Sequence, residues 1–134
     1  MRSAIRTALL VLVLATAFVA AYGAYWSWRA IDDGRRTVTM TNGNPKNASQ
    51  IAIANGCAGC HRIPGIPGAH GLVGPPLTGL ADRVYIAGGL ANTPDNLIRW
   101  IRDARGINPH TAMPSTYISE QDARDLASYL YTVR

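Results

Sequence analysis

The chain has 134 residues, enough for one domain, and its two cysteines, Cys57 and Cys60, exclude a disulfide-dense scaffold or a four-cysteine metal site built by this chain alone. Thirteen Lys and Arg against eight acids give a net charge of +5, yet from Ala48 onward seven Arg face six acids, so the excess lies towards the N-terminus. No basic face suited to nucleic acid is left on the remaining domain, and no nucleic-acid partner is expected.

Residues 1–28 read as a transmembrane anchor. Thr7 to Trp28 is a run of 22 residues without a charge, rich in Ala, Leu and Val. As a helix it would reach about 33 Å, against roughly 30 Å of hydrocarbon. Tyr22, Tyr25, Trp26 and Trp28 crowd its C-terminal end, where amphipathic rings favour the headgroup level, so a lipid bilayer is the first expected partner. The alternative is a cleaved signal peptide, for which Val19-Ala20-Ala21 offers small residues; the aromatic end and the spanning length favour the anchor. Arg2 and Arg6 precede the span while Arg29, Arg35 and Arg36 follow it, so charge does not decide its orientation.

Residues 29–47 are polar, with Asp32, Asp33, Gly34, Asn42, Gly43, Asn44 and Pro45 and no helical period, and they read as a tether. If flexible, it would reach roughly 24 Å. The Thr37-Val38-Thr39-Met40-Thr41 alternation allows a short strand with no evident neighbour.

Residues 48–134 form the remaining domain, with three expected helices. The first takes Asn47 as cap, runs through Ser49 to Ala54 and ends near Gly56. The second opens on Thr93 with Pro94 and Asp95 in its first turn, and carries Leu97, Ile98, Trp100 and Ile101. The third opens on Ser119-Glu120-Gln121-Asp122 and buries Ala123, Leu126, Ala127 and Leu130, with Tyr131 at the end of the same stripe. From Gly56 to Pro94 the chain holds nine Gly and five Pro in 39 residues. So long a stretch without regular structure, inside a domain this small, needs something other than the chain at its centre.

Cys57-Ala58-Gly59-Cys60-His61 supplies the reason. Two thiols three residues apart can each bond one vinyl group of a haem, with the adjacent imidazole beneath the iron. A thioredoxin-like redox pair would want a strand–helix context and no required His, and a zinc site lacks two further ligands at the right spacing. One covalently attached haem c is therefore the expected cofactor, with Cys57 and Cys60 as attachment points and His61 as an iron ligand. The sixth ligand must come from Met40, His70, His110 or Met113. Met113, in a polar, Pro-bounded loop where a Met has little packing reason to be, is favoured because a soft thioether suits low-spin haem iron. The stiff Gly74-Pro75-Pro76-Leu77 segment offers a carbonyl, that of Pro75, to orient His61 through its other ring nitrogen. Haem propionates need donors, and Arg83 and Trp100, ahead of Tyr85 and Tyr117, are the leading candidates, although packing or solvent exposure explains each of the four more readily.

The sequence Cys57 to His61, then Gly74-Pro75-Pro76-Leu77-Thr78-Gly79-Leu80, then Ala112-Met113-Pro114 resembles that of class I c-type cytochromes. Ala81-Asp82-Arg83, Ile86 to Gly89, Asn92 to Leu97 and Trp100-Ile101 add a likeness to the cytochrome c domain of caa3-type cytochrome oxidase subunit II. The resemblance implies an all-α class I cytochrome c haem-binding fold, here with one N-terminal transmembrane helix, and ligation by His61 and Met113. It also implies single-electron transfer in a respiratory chain, to or within a terminal haem–copper oxidase as membrane partner. Because c-type haem is attached outside the cytoplasmic membrane, the haem domain is expected on the periplasmic side of a bacterial inner membrane, with a single pass. The 134 residues hold no copper-site segment, and Asp103-Ala104 and Asn108-Pro109-His110 stand where the relatives tend to have Asp-Pro and Lys-Pro-Gly. The alternatives are a tethered shuttle between other complexes, a subunit whose helix chiefly holds a complex together, and a small haem enzyme such as a peroxidase. No paired-carboxylate, Ser-His-Asp or phosphate-loop arrangement suggests catalysis by the chain's own side chains.

Overall fold

The computed structural model describes residues 2–133, with side chains from residue 4 onward, and the chain divides into two compact units, Met1–Gly34 and Arg35–Arg134. Residues 2–34 of the first unit belong to helix α1, Arg2–Thr41. Its apolar side chains are exposed, from Leu9 to Val13 and again from Phe18 to Trp28. Among the described residues α1 is the one helix long and apolar enough to cross a membrane. Its aromatic rings form a ladder: Phe18 stacks on Tyr22 at 6.3 Å, Tyr22 meets Trp26 edge-on at 5.9 Å, and the Arg29 guanidinium lies over Tyr25 and Trp26.

The second unit corrects the expectation of an irregular tether over 29–47. Helix α1 persists to Thr41, and the expected strand over Thr37–Thr41 is its last turn. β-Branched residues suit a strand, but the threonine hydroxyls return their hydrogens to the helix one turn back, Thr39 Oγ1 to the Arg35 carbonyl at 3.0 Å and Thr41 Oγ1 to that of Thr37 at 2.7 Å. The helix stops at Asn42, whose left-handed backbone (φ 56°) is the usual way to leave a helix.

Residues 42–47 are fastened rather than loose. Helix α6, Glu120–Leu130, supplies Arg124 Nη1 to the Thr41 carbonyl at 3.1 Å and Gln121 Nε2 to that of Asn42 at 3.2 Å. Asp125 on the same helix is buried and accepts from the Asn44 amide and from Asn47 Nδ2, both at 2.7 Å, and from Gln121 Nε2 at 2.8 Å. Burial alone would push its carboxyl up in pKa, but those three donors outweigh it and hold the group below the ordinary carboxylate range. Asn47 accordingly makes no side-chain cap on the next helix; a 3-10 turn, Pro45–Asn47, runs directly into it.

The three expected helices are present. Helix α2 is Ala48–Ala54 and α4 is Pro94–Arg102, opened by the Thr93 hydroxyl accepting from the Asn96 amide; α6 is opened by Ser119 accepting from that of Asp122. Helices α2 and α4 both pack on α6, and Ile51, Leu97, Ile98, Ile101, Leu126 and Leu130 meet there with Ile63, Ile66, Leu80 and Ile86 from the segments between the helices. The short helices α3, Cys57–Cys60, and α5, Ala104–Ile107, were not anticipated. Neither was a two-residue hairpin, β1 Tyr85–Ile86 against β2 Leu90–Ala91. Its turn has positive φ at Ala87 and Gly88, the backbone of a tight primed turn. Apart from an isolated antiparallel bridge between Arg62 and His70, the described residues are otherwise helix and loop, as expected.

Candidate functional site

The site begins where α2 ends. Gly56 turns the chain with φ 72°, α3 makes a single turn, and His61 leaves it extended with its amide still bonded to the Cys57 carbonyl at 2.9 Å. Both thiols and the imidazole thus come from one short stretch of backbone. Residues 71–77 lie along it: the Gly71 amide reaches the Ala58 carbonyl at 3.3 Å, that of Gly74 reaches Cys60 at 2.8 Å, and that of Leu77 reaches Arg62 at 2.9 Å. A Cβ on Gly74 would fall 2.6 Å from His61 Nδ1, so the missing side chain is the space the imidazole occupies. The Pro75 carbonyl lies 2.8 Å from the same nitrogen, the contact expected from the stiff proline segment.

These elements wall a cavity of about 580 Å³, in the range that holds a large ligand. Cys57, Cys60, His61, Pro75, Arg83, Trp100 and Met113 all line it, so the residues singled out in the sequence are brought together. Helices α4 and α6 contribute Leu97, Ile101, Leu126 and Leu130, residues read from the sequence only as core. Ile63, Ile66, Leu80, Ile86 and Tyr129 complete the apolar walls. Their role was missed because they sit in loops or in elements too short to show a period or, for Tyr129, beside the main apolar stripe. The Tyr129 hydroxyl donates to the Pro64 carbonyl at 2.6 Å, which fixes the loop at that wall.

Met113 is carried by a loop fastened to the end of α4. Thr116 Oγ1 donates to the Ile101 carbonyl at 2.7 Å and the Tyr117 amide to that of Arg102 at 2.9 Å. Asp103 accepts from the Ser115 hydroxyl and the Gly106 amide, which together hold its carboxyl below the ordinary range. Of the other candidates, His70 and His110 are exposed and outside the cavity lining, as are Met40 on α1 and Tyr117; Tyr85 does line it. One nitrogen of Arg83, Nη2, donates to the carbonyls of Pro76 at 2.6 Å and Thr78 at 3.0 Å.

Burial pushes the Cys57 thiol up in pKa and outweighs a pull down from the backbone, with the neighbouring Cys60 adding the smallest part of the rise. That direction is opposite to the activated thiolate of a Cys-x-x-Cys redox enzyme. Among the described residues no group of three or more His, Cys, Asp or Glu could hold a metal, so the half-zinc reading finds no partners. An apolar cleft with two thiols and an imidazole from one turn, a glycine cleared for the ring and a thioether on the lining fits a planar iron macrocycle.

The fold and the site define a haem-binding, all-helical electron carrier of the class I c type. The family model for cytochrome c matches residues 45–134, and the chain belongs to the cytochrome c family. It is therefore an electron-transfer protein whose domain binds haem c. The cytochrome c oxidase subunit 2 of Alkalihalophilus pseudofirmus is 32% identical over 114 residues, which is 84% of this chain and 31% of that protein. The cytochrome c oxidase subunit 2 of Bacillus sp. strain PS3 is 32% identical over 82 residues, 58% of this chain and 23% of that one. The chain thus spans under a third of the length of these relatives. No solved structure shows significant similarity to it.

Proposed function

We propose that the chain is a membrane-anchored monohaem cytochrome that passes single electrons to, or within, a terminal haem–copper oxidase. The observation that carries this reading is the convergence of Cys57, Cys60, His61 and Met113 on one apolar cavity. Bound there, the haem supplies one-electron cycling of its iron between Fe(II) and Fe(III). Cys57 and Cys60 would hold it through thioether bonds, and His61 and Met113 would ligate its iron. The Pro75 carbonyl fixes the imidazole tautomer by accepting from Nδ1, leaving Nε2 for the iron. Trp100 and Arg83 face the cavity as candidate propionate donors, though one Arg83 nitrogen already serves the backbone.

Helix α1 holds the domain at a bacterial inner membrane in a single pass, a reading supported by its length, its exposed apolar surface and its aromatic end; the periplasmic side for the haem domain rests on the family, whose haem is attached outside the cytoplasmic membrane. Attribution to an oxidase rests on the likeness to the two oxidase subunits. The test is a gentle detergent purification through a C-terminal tag, with a reduced-minus-oxidised spectrum and subunit analysis of the eluate. Haem a or b with copper and large integral subunits is the expected result. A lone c-type spectrum with a single small band would replace the oxidase subunit by a tethered shuttle.

A further inference from the structure

The segment that presents its carbonyl to His61 is held at its two ends by the Gly74 and Leu77 amides, but by no amide between them. Pro75 and Pro76 have no amide hydrogens, so between Gly74 and Leu77 the backbone has no donor with which to anchor itself. One side chain fastens its outer side. Arg83 Nη2 gathers the carbonyls of Pro76 and Thr78, two residues apart and flanking Leu77. Arg83 is itself held: its amide donates to the Leu80 carbonyl at 3.2 Å, and its carbonyl accepts from Asn92 Nδ2 at 2.8 Å. Asn92 Nδ2 also serves the Leu80 carbonyl at 2.8 Å, while Asn92 Oδ1 accepts from the Tyr131 hydroxyl at 2.9 Å. Burial pushes that phenol up in pKa to about 12, so it remains a donor at any physiological pH.

We infer that Arg83 is a positioning residue for His61, acting through the carbonyls of Pro76 and Thr78 to seat the Pro75 carbonyl on Nδ1, with Asn92 and Tyr131 fixing Arg83 from the end of α6. This rests on the reading of His61 as an iron ligand. A cationic donor to two backbone carbonyls makes a stronger brace than neutral bonds would, and the proline pair has no amide to share the work between Gly74 and Leu77. The acceptor on Nδ1 raises the basicity of the imidazole and so favours Fe(III). Loosening the brace therefore moves the reduction potential upward when no charge is removed.

The test uses the haem-loaded full chain in detergent with histidine labelled in the ring. In the wild type the His61 ring signals must carry the large shifts of a haem ligand; their absence would remove the underlying ligation reading, whatever Arg83 does. Arg83→Gln is expected to speed exchange of the His61 Nδ1 hydrogen at least tenfold, with Arg83→Lys recovering part of the protection. Asn92→Ala and Tyr131→Phe, which change no charge, are expected to speed it severalfold and raise the potential. A donor serving only a propionate would leave that exchange untouched. Exchange within twofold of wild type in Arg83→Gln, or in both neutral variants should Arg83→Gln fail to load haem, overturns the inference.

Discussion

At the scale of single residues the site is shaped as much by missing atoms as by present ones. Gly74 stands where a methyl group would meet three atoms of the His61 ring, and Gly71 where one would meet the backbone of Gly59 and Cys60. Neither has the left-handed backbone that usually explains a glycine; the explanation is close approach. Gly74→Ala should displace the imidazole or the Pro75 carbonyl and cost about 1–3 kcal/mol by overpacking, read as a fall in unfolding midpoint together with a perturbed haem spectrum. An unchanged midpoint and spectrum would mean that the segment yields more easily than its bonds to Cys60 and Arg62 suggest. These glycines were visible in the sequence only as members of a Gly-rich stretch. What each one meets depends on a chain crossing that no local pattern encodes.

At the scale of elements, caps explain what was legible. Thr93 and Ser119 each announce a helix by a side chain able to accept from an amide three residues on, and both do so at the expected positions. The end of α1 was misread for an equally local reason, since alternating threonines favour a strand unless their hydroxyls are satisfied within a helix. What holds that end is a long-range clamp from α6 to residues 41–47, centred on Asp125. Asp125→Ala leaves the Asn44 amide without its acceptor and should cost about 3 kcal/mol in denaturant unfolding. Because Asp125 is held below its ordinary pKa, its stabilisation is complete above about pH 4 and is lost as the pH falls through the folded value. The wild type should therefore lose more stability than the alanine variant on acidification below about pH 4. Parallel acid curves for the two would contradict the clamp.

At the scale of the whole molecule, the near-neutral domain and its apolar cavity suit the binding of one haem. Cys57-Ala58-Gly59-Cys60-His61 carried most of the cofactor reading because its chemistry is local, whereas the walls were legible only as core: Leu97 and Leu126 have the same helical spacing whether they face another helix or a ring. Ile63 and Ile66 had no signal at all, for a loop that folds around a ligand has no period to read. The most direct measurement is the mass of the full chain after denaturation and acidic solvent extraction. One haem per chain, retained in the wild type and lost or made extractable in a Cys57→Ser, Cys60→Ser double variant, is the predicted result. A wild-type chain at the mass of its sequence alone, isolated from cells that attach haem c to other proteins, would contradict the account.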